Sequence, residues 1–203
     1  MSAMHAPIYR ARLRELVRRI TPHLRAGDRV LDVGCGGGAL GAALLAAGPE
    51  GLVVEGLERF KRGGEPIHVH EYDGGAIPFE SASYDLVIVA DVLHHEQEPD
   101  RLLAECARVA RRAVVIKDHQ VKGPLAHARI SFIDWAANAP YAVKCLYRYN
   151  TPAQWRDTRD RHHLSLIEEM TAMNLYPPGF NLLFGRKLQY MAVLGVNHED
   201  RPA

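Results

Sequence analysis

Residues 30–45 read VLDVGCGGGALGAALL, and this stretch decides the fold. An apolar run carrying one acid, Asp32, leads into alternating glycines, Gly34, Gly36 and Gly38, and then into an Ala/Leu-rich segment. RVLDV (29–33) has the pattern of a buried strand, with Gly27-Asp28 before it and glycines after it. Residues 39–47 have the pattern of a helix ended by Gly48-Pro49. Alternating glycines between a strand and a helix permit positive φ and close backbone approach. They also leave backbone N–H groups pointing at a ligand near the helix N-terminus. Open α/β sheets bind ligands there, at the carboxyl ends of their strands. The segment from Gly34 through Cys35 to Ala39 also satisfies the dinucleotide pattern G-x-G-x-x-G/A. Structural turns match that pattern too, so the context has to decide.

The strand–helix alternation continues downstream. LVVEGLE (52–58), PIHVHEY (66–72), YDLVIVADVL (84–93) and RAVVIKD (112–118) read as further strands. The aliphatic centre of the third of these suits a strand covered on both faces. PDRLLAECARVAR (99–111) is helical, with Leu102, Leu103, Cys106 and Val109 on one face. Such alternation implies right-handed βαβ units and an α/β fold with a mostly parallel sheet. Residues 120–163 hold two aromatic-bearing helix candidates, near 124–137 and 152–162. LSLIEEM and LQYMAVLGV then read as two strands joined by YPPGFNLLFGRK, an antiparallel addition at the sheet edge. Upstream, Leu13, Leu16, Val17 and Ile20 share one helical face and Arg10, Arg14 and Arg18 lie elsewhere, as in a helix packed on the domain. The expectation is a single domain over 1–203, with an N-terminal helix in 1–25 and a substrate lid in 120–163.

The gross numbers exclude several classes. A chain of 203 residues with 47% hydrophobic content supports one globular domain. A net charge of +1 removes the generic electrostatic case for a nucleic-acid partner. No apolar run approaches the roughly 20 residues of a membrane span, and the N-terminus lacks the apolar core of a signal peptide. The three cysteines, Cys35, Cys106 and Cys145, are far apart and odd in number, so neither a disulfide framework nor zinc spacing follows. A cytoplasmic location is the expectation. Among the eleven histidines, His68 and His70 alternate onto one strand face and His162-His163 adjoin. Neither pair has carboxylates at ligand spacing, so no protein-bound metal is expected.

Two acids sharpen the glycine motif. Glu58 ends the second strand, where a carboxylate can accept from both hydroxyls of a ribose. Asp73-Gly74 follows the third strand, where a carboxylate can accept from an adenine amino group. Together they favour one nucleoside-bearing ligand. With VLDVGCGGG, GLE, DGGAIPF and SYDLVIVADVLHH in this order, the chain resembles the class I S-adenosylmethionine-dependent methyltransferases over about Val30 to Asp118. The resemblance implies a Rossmann-like three-layer sandwich whose seven-stranded sheet is mostly parallel with its last strand antiparallel. It implies S-adenosylmethionine as cofactor and S-adenosylhomocysteine as product. Asp32, Gly34, Cys35, Gly36 and Gly38 would surround the methionine moiety, Glu58 the ribose, and Asp73 and Gly74 the adenine. Asp91 would face the methyl-transfer site. Glu55 is the alternative ribose acid, but strand alternation puts it on the face opposite Glu58.

The implied reaction is methyl transfer to a small-molecule acceptor by in-line displacement. Alignment carries most of it, and a base is needed only where the acceptor loses a proton. His119 is the first candidate base, then His95, with Asp118 also in reach; transfer without a side-chain base is the alternative. The segment between the fifth and sixth strands carries Phe132, Trp135, Tyr141, Tyr147, Tyr149 and Trp155, which can line an acceptor cavity or pack the added helices. Asp134, Trp135 and Tyr149 are the substrate-binding candidates. Two other classes stay open on the residues alone. A nicotinamide-dependent oxidoreductase shares the glycine pattern, but Asp32 and Asp73-Gly74 speak against it. A non-catalytic domain of this fold could bind a nucleoside or a partner. The acceptor, the atom methylated and the oligomeric state are not written in the sequence.

Overall fold

The computed structural model describes residues 6–139 and 145–198. Seven strands form one sheet in the order β3-β2-β1-β4-β5-β7-β6. They are β1 (Arg29–Val33), β2 (Val53–Glu58), β3 (His68–Glu71), β4 (Tyr84–Ala90), β5 (Ala110–His119), β6 (Leu164–Met170) and β7 (Gln189–Val196). The helices are α1 (Ala6–Ile20), α2 (Ala39–Ala47), α3 (Pro99–Val109), α4 (Ala126–Asn138), α5 (Pro152–Arg161) and α6 (Pro178–Phe184). The first five strands pair in parallel, and β7 runs antiparallel between β5 and β6. This is the mostly parallel, Rossmann-like sheet expected from the sequence, with the last strand reversed.

Strand parity distributes the core. In β4, Leu86 and Ile88 pack with Leu16 and Ile20 of α1 and Leu40 and Leu44 of α2. Val87 and Val89 pack on the other side with Leu102, Leu103 and Cys106 of α3 and Trp155 of α5. Successive residues of a central strand thus feed opposite layers, which is why its aliphatic run has no polar alternation. Leu13 and Val17 join Leu16 and Ile20 against the core, so the amphipathic stripe of α1 is spent on packing. Thr151 caps α5 through a reciprocal bond with Gln154, and Pro152 opens its first turn. Trp155 then stacks on Tyr190 of β7 at 4.6 Å between ring centres, fixing α5 to the sheet.

The connection from β6 to β7 differs from the sequence expectation, because it contains the short helix α6. Pro178 opens it and Gly185 follows it, but seven residues with no polar face give little periodicity to read. Tyr141 lies outside the described residues. No helix among the described residues is long and apolar enough to cross a membrane.

Candidate active site

The glycine turn lies between β1 and α2. Gly34, Gly36 and Gly38 all have positive φ, from 56° to 72°. At Gly34 a Cβ would collide with the Val92 side chain, and at Gly38 it would stand 2.8 Å from Ile67. The turn can therefore lie close against both neighbouring loops only without side chains.

Asp32 shares the β1 face of Val30, the α1 side of the sheet, and is 2% exposed. Its Oδ2 is buried without a hydrogen-bond partner. Burial pushes its carboxyl up to about 7, against the opposing charge of Arg12 and with help from Glu58. A buried acceptor of this kind is costly unless a donor arrives. Glu58 ends β2 on the same side as Val54. Its Oε2 accepts from the Gly36 N–H at 2.8 Å, and its Oε1 accepts from the Arg59 N–H at 2.8 Å. Glu55 points to the opposite layer, where it pairs with Arg29 and His70 and accepts from the Tyr84 hydroxyl at 3.0 Å. The exposed Asp73 accepts from the Gly75 N–H at 2.7 Å. Gly74 abuts the Arg59 guanidinium, which reaches on to Glu96 at 2.7 Å. Burial raises the Cys35 thiol to about 12, with Asp32 and Glu58 adding to the shift, so it stays protonated.

These residues fit the amino-acid and nucleoside ends of S-adenosylmethionine. The partnerless Asp32 oxygen suits an ammonium group, Glu58 beside the bare turn suits ribose hydroxyls, and Asp73 with Gly74 would edge the base.

Asp91, at φ 58°, directly follows β4. Its carboxylate is held between Arg12 of α1 at 2.6 Å and the buried Lys117 of β5 at 2.5 Å. Burial opposes its charge, but Lys117 and Arg12 outweigh it and keep the carboxyl well below the usual range. The residue expected at the transfer site thus spends its charge tying α1 to the tops of β4 and β5.

The other expected groups gather beyond β4 and β5. Leu93–His95 form a single 3-10 turn. His94 Nδ1 lies 2.6 Å from Asp118 Oδ1, and both side chains are almost fully buried. Burial works against charge on His94, but Asp118, with Asp134 and Asp91, outweighs it and raises the imidazole to about 10. Asp134 projects inward from α4, and its Oδ1 stands 3.6 Å from Nε2 of both His94 and His95. Its Oδ2 accepts from the Tyr149 hydroxyl at 2.6 Å. Burial would raise the Asp134 carboxyl, but the facing His94 and the bond from the Tyr149 hydroxyl hold it at about 2. His119 is buried beside them, with ring centres 5.3 Å from His94 and 5.8 Å from Tyr149. Burial, reinforced by Lys117, depresses it to about 4, so it is neutral and weakly basic at physiological pH.

A cleft of about 430 Å³ opens on this cluster, lined among others by Leu93, His94, Leu103, Asp118, Tyr149 and Trp155. Trp135 points the other way from its neighbour Asp134. It is half exposed and lines an adjoining shallow groove with Phe132 and Tyr147. Sequence reasoning missed the partnership of His94 with Asp118 and the roles of Arg12 and Lys117. A lysine inside the apolar run AVVIKD was the available signal, since a buried cation demands a buried acid.

Comparison with known proteins follows the same division. Residues 31–116 match a family model described as a methyltransferase domain. A ubiquinone biosynthesis O-methyltransferase of Thiobacillus denitrificans is 31% identical over 98 residues, 42% of this chain and 41% of that protein. A 27-O-demethylrifamycin SV methyltransferase of Amycolatopsis mediterranei is 32% identical over 120 residues, 50% of this chain and 43% of that protein. The chain therefore spans about two fifths of the length of the curated relatives it matches. Among solved structures, a Burkholderia thailandensis 1,6-didemethyltoxoflavin-N1-methyltransferase with bound S-adenosylhomocysteine superposes with a TM-score of 0.67 at 16% identity, covering 92% of this chain and 79% of that one. An Aquifex aeolicus SAM-dependent methyltransferase gives 0.63 at 15% identity, covering 97% and 94%. Residues 31–116 are thus similar to a methyltransferase domain, and the two solved structures share the fold.

Proposed function

We propose that the chain transfers a methyl group from S-adenosylmethionine to a small-molecule acceptor bound in the cleft beside His94 and Tyr149. The observation that carries the reading is the pairing of the bare glycine turn with two acids on one sheet face, Glu58 bonded to Gly36 and Asp32 buried with an unpartnered oxygen. When bound, the cofactor supplies an activated methyl group on a sulfonium whose leaving group is a neutral thioether. The residues around it bind and align. The Gly34–Gly38 backbone and Asp32 would hold the amino-acid end, Glu58 the ribose, and Asp73 with Gly74 the base.

The acceptor side is built from the other layer. Within the lid expected over 120–163, α4 and α5 would cover the cleft. Asp134 and Tyr149 would orient an acceptor hydroxyl there, while Trp135 would serve only an acceptor reaching the outer groove. One relative is named a ubiquinone biosynthesis O-methyltransferase and another a 27-O-demethylrifamycin SV methyltransferase, and a hydroxyl acceptor suits the polar cluster. Its proton would be taken by His95, since His94 already holds its proton at a pKa of about 10 and Asp134 is held at about 2; transfer without a side-chain base is the alternative. His119 is a poor base at its depressed pKa and would line and pack the site.

Calorimetry with S-adenosylhomocysteine, run against NADH, tests the cofactor half. Binding of the first and not of the second is expected, and preference for NADH would overturn the reading. A panel of phenols, hydroxyquinones and amines, read by acceptor-dependent formation of S-adenosylhomocysteine, tests the acceptor half.

A further inference from the structure

We propose that His94, His95 and Asp134 form a binding site for one divalent transition-metal ion, of the zinc or iron(II) kind, at the inner wall of the acceptor cleft. The three come from two elements, the 3-10 turn after β4 and the middle of α4. Both imidazole Nε2 atoms stand 3.6 Å from the same Asp134 Oδ1. That separation exceeds a hydrogen bond. It lies close to the edge of a coordination tetrahedron, about 3.3–3.5 Å for ligand bonds of roughly 2.0–2.2 Å. The three ligating atoms all lie within 4.8 Å of one another, a spacing that a bound ion would tighten.

The surroundings already orient the ligands. Asp118 Oδ1, 2.6 Å from His94 Nδ1, accepts the hydrogen bond there and turns Nε2 to the gap, where an ion would displace the second proton of the imidazolium. A carboxylate behind a ligating histidine is the usual support of such sites. The Tyr149 hydroxyl occupies Asp134 Oδ2 at 2.6 Å, and the Asn138 amide donates to Oδ1 at 2.7 Å, leaving one Oδ1 lone pair. The Cys145 thiol also interacts with this carboxylate. Two imidazoles and one carboxylate suit zinc or iron(II) and leave coordination positions open, as catalytic sites do. His94 and Tyr149 line the cleft, so an open position faces its contents. An acceptor hydroxyl placed there would lose its proton more readily on the metal than in water. That use of the site rests on the methyl-transfer reading; the site itself does not.

A second group, Glu55 with His68 and His70, sits on the far side of β2 and β3 and provides the control. Untagged protein, stripped with a chelator, is titrated with Co2+ and Zn2+ in the absence of cofactor and acceptor. One equivalent of Co2+ with the strong visible absorption of a four- or five-coordinate ion is expected. The signal should vanish in His95→Asn and in Asp134→Asn and survive in the His68→Asn/His70→Asn double variant. Should Asp134→Asn fail to fold, His95→Asn decides, since its ring is partly exposed. A wild-type chain that stays spectroscopically silent and takes up no Zn2+ overturns the site. So does a signal that survives His95→Asn. Calorimetry with S-adenosylhomocysteine on the same sample separates the two readings. Metal without nucleoside keeps the site and sinks the methyltransferase, and the reverse result sinks the site alone.

Discussion

Glu58 and Glu55 lie three positions apart on β2 and offer a crossed test of the cofactor site. Glu58 holds the glycine turn through the Gly36 N–H at 2.8 Å and faces the layer of Asp32. Glu58→Ala removes a charge-assisted bond that shapes the turn, together with the acceptor meant for the ribose hydroxyls. Losses of this kind cost about 1–3 kcal/mol of binding, a fall of roughly 5- to 150-fold in affinity for S-adenosylhomocysteine. The fold should suffer little, because Glu58 is not buried among apolar groups. Glu55→Ala does the opposite. It strips partners from Arg29, His70 and the buried Tyr84 hydroxyl on the other face. An orphaned buried hydroxyl costs about 1–3 kcal/mol of stability, or roughly 2–12 °C in melting temperature for a domain of this size. Its effect on affinity should be small. Calorimetry and thermal melts of both variants read the cross directly. Weakened binding in Glu55→Ala with unchanged binding in Glu58→Ala would refute the assignment of faces and move the ligand to the opposite layer.

Gly36→Val should fold with only the strain of a left-handed backbone, about 1–2 kcal/mol, since the nearest group to its Cβ is the Arg62 guanidinium at 3.5 Å. It should nevertheless lose S-adenosylhomocysteine binding in calorimetry. Gly34→Val should not give folded protein by circular dichroism, because its Cβ overlaps Val92. Burial raises Asp32 to about 7, above its unfolded value of about 3.9. The native state therefore holds the extra proton between these values, and stability falls as pH rises from about 4 to about 7. Urea unfolding at about pH 5 and about pH 7.5 should show that loss in the wild type and a smaller one in Asp32→Asn. His119→Gln, at a site depressed to about 4, should lower turnover less than about tenfold and leave the pH profile above 5 unchanged. A loss of 10²–10⁴-fold with removal of an acid limb would instead show His119 acting as the base.

The parts of this site that could be read in the sequence are those that local rules determine. The strand–glycine–helix run of 30–45 needs only period and turn chemistry, and Glu58 was separated from Glu55 by parity alone. In β5, Val114 and Ile116 feed one layer and Ala113 and Val115 the other. The alternation therefore sends Asp118 toward the α3 layer, where it meets His94, and Lys117 toward the α1 layer, where it meets Asp91. At the strand's end Asp118 and His119 both come beside the His94 ring, Asp118 at 2.6 Å and His119 at 5.3 Å between ring centres. What parity cannot supply is the partner. Asp91 is taken up by Arg12 only because α1 folds back over β4, and Asp134 meets His94 and His95 only because α4 crosses the end of the sheet. Both contacts join elements distant in the chain, and both need a buried charge to find its opposite. The acid inside SFIDWAA and the lysine inside AVVIKD announce that such partners exist. Their identity is a property of the packed layers, and the chemistry of the acceptor side is decided there.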